Sequence, residues 1–233
     1  KKQNNNGSWG RDHKEAMTGL ALLTFLAHGE TPQSEKFGKT LSDSIQWLTN
    51  RMKNKKGVGN RDDAYTNGIS TYALCEAYGL TKIPAIKSPM EKGLELLIKG
   101  QQDIGGWDYK YAKGSRWDLS VAGWQLQALK AGQASGAEVE GLEKAIEKGI
   151  KWVKEVNYKN GKFHYSGEGR RKVRDPHPAM QGIGTLCLQL LGHGDSDEAE
   201  TNSEYIEENI SVSWETPPKF PLYTWYYCTQ AMF

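Results

Sequence analysis

Apolar residues along the chain form two kinds of helical segment that alternate. Five segments are apolar nearly all round, which is typical of buried helices; they span residues 17–26, 66–74, 121–129, 180–188 and 224–232. The segments between them carry a single apolar stripe opposite Lys, Glu, Asp and Gln, which predicts helices with one face in water. These amphipathic segments span residues 37–52, 90–100, 141–156 and 203–210. The alternation predicts helical hairpins, each with a buried and a partly exposed member.

The buried segments repeat at a regular spacing. Aligned on one position, they place Gly19, Gly68, Gly123, Gly182 and Tyr226 in register, with steps of 44 to 59 residues. A period near 50 with variable inserts is typical of a repeat of two helices whose loops differ in length. Glycine inside a helix costs about 1 kcal/mol relative to alanine. Its recurrence therefore predicts close approach of a neighbouring helix at this position.

A second pattern recurs outside the buried helices: a Gln, a Gly four residues later and a Trp two residues after that. The two full copies are Gln101, Gly105, Trp107 and Gln3, Gly7, Trp9, and residues 157–163 hold a degenerate copy with Asn and Phe. This pattern resembles the QW motif of squalene–hopene and oxidosqualene cyclases, which share an α/α-toroid with the β subunits of protein prenyltransferases. In that family the motif is structural: the Gln ties a helix end and the Trp packs over the following turn.

The resemblance and the repeats together predict an all-α fold. We expect an α/α-toroid of about five helical hairpins, with an inner and an outer ring of helices and little strand. The prediction treats residues 1–233 as a single toroid repeat domain. It also expects a toroid that is incomplete at both ends, because the chain opens inside one motif and stops inside the fifth inner helix.

Composition narrows the classes of partner. The chain has 30 Lys and Arg against 28 Asp and Glu, a net charge of +2, so we predict no nucleic-acid partner. No apolar run approaches the ~18 residues of a membrane span, so no transmembrane segment is predicted. Cys75, Cys187 and Cys228 lie inside apolar helical patterns and are expected to be free core thiols. No compartment is predicted.

Charged residues recur just before the inner helices, at positions here called the mouth. They are Arg11 and Asp12, Arg61 with Asp62 and Asp63, Arg116 and Asp118, and Arg174 and Asp175, with His177 close behind. An Asp ahead of a helix is a good N-cap and pairs readily with a nearby Arg. Converging helix N-termini with Arg also bind anions. The pattern is therefore compatible with capping, with ligand binding, or with both.

We select Asp63, Asp118 and His177 as candidate catalytic residues. Asp63 and Asp118 lie at the mouths of inner helices, and His177 follows Asp175, so it could act as a general base beside a carboxylate. The candidate cavity and ligand-binding residues are the remaining mouth residues and the inner-helix aromatics. They are Arg61, Tyr65, Tyr72, Arg116, Trp117, Trp124, Arg174, Asp175, Tyr223 and Trp225. Aromatic rings at these places would stabilise carbocations through their faces, stack on a sugar, or fill the core.

The signatures of the resembling enzymes are missing. The chain has no DxDD acid motif of class II cyclases, and no Cys stands with the Asp and His that bind zinc in prenyltransferases. We predict no metal and no cofactor. The first functional hypothesis is a domain that binds a ligand or partner in its central cavity or at its Arg/Asp-lined mouth. The alternative is an enzyme of the terpene cyclase or polysaccharide-acting toroid type that uses the mouth carboxylates and His177. The ligand would be a small molecule such as a glycan or isoprenoid, and a protein partner stays open.

Overall fold

The structure, a computed structural model, describes residues 2–55, 63–170 and 172–233, with the backbone alone at positions 63 and 172. Most of the described chain is helical. The helices are α1 (Lys14–Ala27), α2 (Gly38–Lys53), α3 (Asp63–Thr81), α4 (Pro84–Gly100), α5 (Leu119–Ser135), α6 (Leu142–Trp152), α7 (Pro178–Leu190), α8 (Asp197–Asn209) and α9 (Pro221–Met232). Helix α6 continues into a π-helical turn, Val153–Asn157. Each of the five predicted inner segments lies within one of the helices α1, α3, α5, α7 and α9.

The strands are short, as the sequence predicts. They are β1 (Arg116–Asp118), β2 (Tyr158–Lys159), β3 (Lys162–Phe163), β4 (Ser166–Glu168) and β5 (Lys172–Arg174). Strands β1, β4 and β5 form an antiparallel sheet in that order, with Trp117 opposite Gly167 and Gly167 opposite Val173. Strands β2 and β3 form a hairpin. The small sheet brings the residues before α5 beside those before α7.

The chain packs as two compact units. Unit 1 contains Lys1–Gly100, Tyr109–Tyr111 and Gln127–Glu143, and unit 2 contains Gln101–Asp108, Ala112–Leu126 and Lys144–Phe233. In unit 1, the inner helix α1 packs on the inner helix α3, and the outer helix α2 packs on the outer helix α4. In unit 2, α7 packs on α9 and on α8. The expectation of one toroid domain over 1–233 stays a prediction.

The recurring glycines of the inner helices lie at close helix contacts. A Cβ at Gly19 would lie 3.0 Å from Ile69 Cγ2, and one at Gly123 would lie 2.6 Å from Ile183 Cγ2. At Gly182 the Cβ would lie 2.7 Å from a backbone nitrogen of α9. Inner helices therefore approach their neighbours closely at these positions, which confirms the packing reason inferred from the sequence.

The Gln-Gly-Trp pattern holds a loop against the next outer helix. Gln101 Nε2 donates to the carbonyl of Gly105 at 3.0 Å and to that of Ala145 in α6 at 2.9 Å. Gln3 Nε2 makes the same pair of bonds, to Gly7 at 3.0 Å and to Thr40 in α2 at 2.9 Å. The Gln thus ties its own loop to the next outer helix, whereas the resemblance implied that it would tie the end of its own helix. Trp107 is completely buried, and Trp9 Nε1 donates to Ser44 in α2 at 3.1 Å.

Only glycine fits the middle of this loop. Gly7 and Gly105 have φ of 87° and 103°, where other residues are strained. A Cβ there would also lie 2.4 Å from the Asp43 carbonyl oxygen in the first copy and 2.3 Å from that of Lys148 in the second. Asp43 and Lys148 each lie three residues beyond the helix carbonyl that receives the Gln. The two copies are therefore equivalent structures, in which the Gln and the Gly hold the loop against the outer helix.

Cys75, Cys187 and Cys228 are free and buried, as expected of core thiols. Burial raises the pKa of Cys187 to about 12 and that of Cys228 to about 11, so both are protonated thiols at neutral pH. Within the described chain, no helix is long and apolar enough to cross a membrane.

Candidate functional site

The centre of the unit 2 mouth is Asp118, the last residue of β1. Its Oδ1 accepts hydrogen bonds from the backbone N–H groups of Ser120 at 3.0 Å and Val121 at 3.3 Å, and from the Ser120 hydroxyl at 2.5 Å. These are the free N–H groups of the first turn of α5, so Asp118 is the N-cap of that helix. Its side chain has no exposed surface. In this geometry the carboxyl performs the capping role considered in the sequence analysis.

Arg116 links Asp118 to a second carboxylate. Arg116 Nη2 lies 3.3 Å from Asp118 Oδ2, and Arg116 Nη1 pairs with Asp108. The hydroxyl of Tyr165 also donates a hydrogen bond to Asp118. Burial raises the pKa of Asp118 above its ordinary value, although the Ser120 hydrogen bond and the Arg116 charge act in the opposite direction. The result is a buried carboxyl held by several donors.

Tyr165 connects this carboxyl to the start of α7. Its carbonyl accepts from Leu119 N at 2.8 Å, and its own N–H donates to the carbonyls of Arg174 at 3.0 Å and Asp175 at 3.2 Å. The Tyr165 ring centroid lies 6.0 Å from that of His177, the N-cap residue of α7. We call Arg116, Asp118, Tyr165 and His177 the mouth cluster. Asp118 and His177 are thus linked indirectly, through Tyr165.

His177 is half-buried and lies near two aromatic rings. The ring centroid of Phe220, the residue just before α9, lies 5.8 Å from that of His177. Within the described part of the chain, its buried Nδ1 has no hydrogen-bond partner. Burial lowers the pKa of His177, the Lys219 ammonium lowers it further, and the Asp175 carboxylate acts in the opposite direction. A neutral imidazole near pH 7 offers both a donor and an acceptor to a ligand.

An aromatic cluster lies on the inner helices of the same unit. The Trp124 ring stacks on Tyr226 at 5.9 Å and meets the edge of Tyr227 at 5.7 Å, and Tyr223 meets Tyr227 at 5.0 Å. Trp124 and Tyr227 are buried, whereas Tyr226 is 40% exposed. The cluster therefore presents mainly one ring, that of Tyr226, at its surface. Burial raises the pKa of Tyr226, so its phenol stays protonated.

Two of the predicted cavity aromatics point elsewhere. Trp117 is completely buried, donates from Nε1 to the Gly169 carbonyl at 2.8 Å and packs edge-on against Trp152. Its assignment to the cavity is wrong because β1 directs it into the core of unit 2. Trp225 is also buried; its Nε1 donates to the Ser211 carbonyl at 3.0 Å and its ring meets that of the exposed Trp214. It belongs to the packing of the segment after α8 and not to the aromatic cluster.

The other predicted residues are spread over both units. Tyr65 lies in unit 1, half-buried, with its ring 5.7 Å from Tyr109, and Tyr72 is half-buried two turns later on α3. Arg174 and Asp175 are exposed, and Asp175 has the left-handed φ of 48°. Arg61 and the side chain of Asp63 lie outside the described residues.

Residues that the sequence analysis missed complete the surroundings of His177. Tyr165 follows the degenerate Asn-Gly-Phe copy, and Phe220 and Lys219 precede the fifth inner helix. Phe220 has a φ of 54°, an unusual backbone conformation for a non-glycine residue. The available signal for Phe220 and Lys219 was their position just before an inner helix, although they belong to neither the Arg nor the Asp pattern that recurs there. For metals, the described side chains form no group of 3 or more His, Cys, Asp or Glu that could hold an ion.

Comparison with known proteins identifies the fold class. No family model matches the chain, and no curated protein matches it in sequence. Solved structures do match. The α-1,6-mannanase GH76A from Salegentibacter sp. HEL1_6 has 14% sequence identity and a TM-score of 0.68, covering 93% of this chain and 69% of that one. A polysaccharide lyase, BACCELL_00875, has 11% identity and a TM-score of 0.66, covering 99% and 78%. A family 88 glycosyl hydrolase from Bacteroides vulgatus has 11% identity and a TM-score of 0.64, covering 93% and 70%.

These three proteins are α/α-toroid enzymes, so the predicted all-α toroid class is confirmed. None of the three is a squalene cyclase or a prenyltransferase, so the likeness supports the toroid class and not the narrower family suggested by the Gln-Gly-Trp pattern. The pattern is explained by the loop packing it produces. At these identities the likeness establishes the fold alone.

Proposed function

We propose that this chain is a polysaccharide-acting enzyme of the α/α-toroid type that cleaves glycosidic bonds at the mouth of its inner helices. The observation that carries this proposal is the environment of His177: a half-buried imidazole with a buried, unpartnered nitrogen, close to the rings of Tyr165 and Phe220. Sugars present hydroxyls at their edges and C–H groups on their faces. A neutral imidazole beside aromatic rings complements both.

The similar structures support the choice of substrate class. They include a mannanase, a polysaccharide lyase and a glycosyl hydrolase, as well as an inactive mannanase variant in complex with α-1,6-mannotetraose. That variant was inactivated by replacing two adjacent aspartates. In the present sequence Asp62-Asp63 is the one pair of adjacent aspartates. Glycoside hydrolysis commonly uses two carboxyl groups, one as acid and one as base or nucleophile. We therefore propose Asp63, with Asp62, for the proton transfers.

Independently of these aspartates of unit 1, the mouth cluster of unit 2 would bind a glycan. His177 would hydrogen-bond a sugar hydroxyl, and Tyr165 and Phe220 would contact the sugar face. Asp118 has no exposed surface, so we propose that it acts by holding Arg116 and Tyr165 in place. Arg116 is 42% exposed and would contact the substrate. The proton-transfer role is thus proposed for unit 1, and the glycan-binding role for unit 2.

The experiment is reducing-end release from a polysaccharide panel that includes α-1,6-mannan. The double variant Asp62→Asn/Asp63→Asn should lower kcat/KM at least ~10²-fold, the lower end of what a positioned acid or base contributes. His177→Ala should lower kcat/KM about 10-fold or more, whereas His193→Ala, at the other end of α7, should not. Full activity of both the Asp62/Asp63 and His177 variants would contradict the proposed site. Absence of product from every polysaccharide would contradict the enzymatic proposal.

A second candidate, glycan binding without catalysis, is favoured by one observation. The carboxyl of Asp118, at the mouth of unit 2, is buried and accepts the capping hydrogen bonds of α5. Under this hypothesis an oligosaccharide would bind at His177 and remain uncleaved. A terpene-cyclase-type reaction has less support: Trp124 and Tyr227 are buried, and the sequence has no DxDD acid. Incubation with squalene, followed by product extraction, would test that reaction.

A further inference from the structure

Lys219 and Phe220, the two residues before α9, lie on one side of His177 and are held in place by that helix. The hydroxyl of Thr224, in the first turn of α9, donates to the Lys219 carbonyl at 2.7 Å, and the Thr224 N–H donates to the Phe220 carbonyl at 2.9 Å. Thr224 is completely buried. The backbone of Lys219 and Phe220 is therefore fixed to the buried start of α9.

This backbone presents the Phe220 ring to solvent beside the imidazole. The φ of Phe220 is 54°, in the left-handed region that non-glycine residues rarely occupy. Its side chain is 57% exposed, although it is large and apolar, and its ring centroid lies 5.8 Å from that of His177. Strained backbone of this kind is found where a fold holds a side chain ready for a ligand. The ring offers an apolar surface next to the polar atoms of His177.

Lys219 places a cation at the same ring. Its Nζ lies 5.4 Å from the Phe220 ring centroid, so the ammonium lies against the ring that neighbours His177. Over the part of the chain that the structure describes, Lys219 has no carboxylate within ion-pair distance. Arg116, the cation of the mouth cluster, is by contrast bonded to both Asp108 and Asp118. The Lys219 ammonium is therefore available to an anionic ligand.

The charges that act on His177 are positive in balance. Burial lowers the pKa of His177, and the Lys219 ammonium lowers it further, by more than the Asp175 carboxylate raises it. A positive charge beside an exposed aromatic ring favours a ligand with an apolar face and an anionic group. Acidic sugars have both, since a carboxylate or a sulfate ester projects from the edge of a ring whose faces carry C–H groups. A neutral sugar leaves the ammonium without a partner.

We propose that the glycan bound at His177 is acidic: a sugar residue packs on Phe220, and its carboxylate or sulfate group pairs with Lys219. Lys219 is then the residue that determines specificity at this site. The inference rests on the proposed function, because it names the class of polysaccharide that the mouth cluster takes. A hydrogen bond between charged groups is stronger than one between neutral groups. An acidic oligosaccharide should therefore bind about tenfold more tightly than a neutral one of the same size.

The test is isothermal titration of the full chain, with the histidine ring signals followed by NMR to locate binding at His177. The probes are trigalacturonate, its methyl ester, which has the same sugars without the charge, and a κ-carrageenan tetrasaccharide, which carries sulfate. At least one acidic probe should bind about tenfold more tightly than the methyl ester, and added salt should reduce this preference. Lys219→Gln should bring the affinities for that acidic probe and the methyl ester to within about twofold. Lys144→Gln, which neutralises an exposed lysine on the outer helix α6 of the same unit, should retain the preference.

The outcomes separate this inference from the proposed function. If the methyl ester shifts the His177 ring signals and binds as tightly as both acidic probes, the acidic specificity is overturned and the glycan site stands. A tenfold preference that persists in Lys219→Gln would overturn the role of Lys219. If no probe produces a saturable shift at His177, the glycan site of the proposed function is itself contradicted. Tight binding of either acidic probe supports the inference, and the tighter of the two identifies the anionic group.

Discussion

Replacing Asp118 with alanine separates its structural role from a catalytic one. The change removes the N-cap of α5, which typically costs about 1 kcal/mol. Because the capped N–H groups of Ser120 and Val121 are buried, the loss of the cap should reach the upper end of this range, about 2 kcal/mol, and the buried Ser120 hydroxyl, which also loses this acceptor, adds about 1 kcal/mol. The pair with Arg116 adds little, because that side chain is 42% exposed and keeps Asp108 as a partner. The expected loss in free energy of unfolding is therefore about 3 kcal/mol.

The assay is thermal unfolding followed by far-ultraviolet circular dichroism, where this loss corresponds to a fall in Tm of about 6–12 °C. Asp118→Asn keeps an acceptor oxygen at the cap and should lose about 1 kcal/mol or less. Asp12→Ala is the matched control, since Asp12 pairs with the highly exposed Arg11 and should change stability by under ~0.5 kcal/mol. The reasoning would be refuted if Asp118→Ala were as stable as Asp12→Ala, or if the Asn and Ala variants of Asp118 were equally unstable.

Two further predictions concern the loop around Gly105 and the imidazole of His177. Gly105→Ala should lower the free energy of unfolding by about 3–4 kcal/mol, because its Cβ would meet the Lys148 carbonyl and its φ is positive. Gly161→Ala, at a positive φ but in open space, should lower it by about 1 kcal/mol. Equal losses for the two variants in urea unfolding would contradict the loop packing. The folded-state pKa of His177 is lowered, so the unfolded chain binds more protons and stability should fall as pH drops below about 6.5. His177→Gln should flatten this dependence and His193→Gln should retain it; an unchanged slope in the His177 variant would show that the imidazole is not desolvated.

The sequence predicted those features that depend on repetition. The glycines in register mark real helix contacts, because a Cβ at Gly19, Gly123 or Gly182 would lie 3.0 Å or less from a neighbouring helix. The Gln-Gly-Trp spacing likewise predicted a structural loop, since both Gln101 and Gln3 bind the next outer helix in the same way. Such features recur in the sequence because the same local packing recurs in the structure.

The mouth was harder to predict because it depends on single side-chain directions and long-range contacts. Trp117 and Arg116 are neighbours in sequence, but β1 turns Trp117 into the core while Arg116 stays partly exposed. On α9, the segment after α8 covers Trp225 and leaves the adjacent Tyr226 exposed. His177 owes part of its lowered pKa to Lys219, which belongs to another helical repeat. No periodic pattern marks these pairings.

The most direct test of the account is a crystal structure of the Asp62→Asn/Asp63→Asn variant with α-1,6-mannotetraose, at a concentration just above the measured Kd. The account predicts a sugar hydroxyl within hydrogen-bond distance of a His177 ring nitrogen and a sugar face against Tyr165 or Phe220. Oligosaccharide bound only at another place on the protein, with the surroundings of His177 unchanged, would contradict the claim that the inner-helix mouth is the site of glycan chemistry.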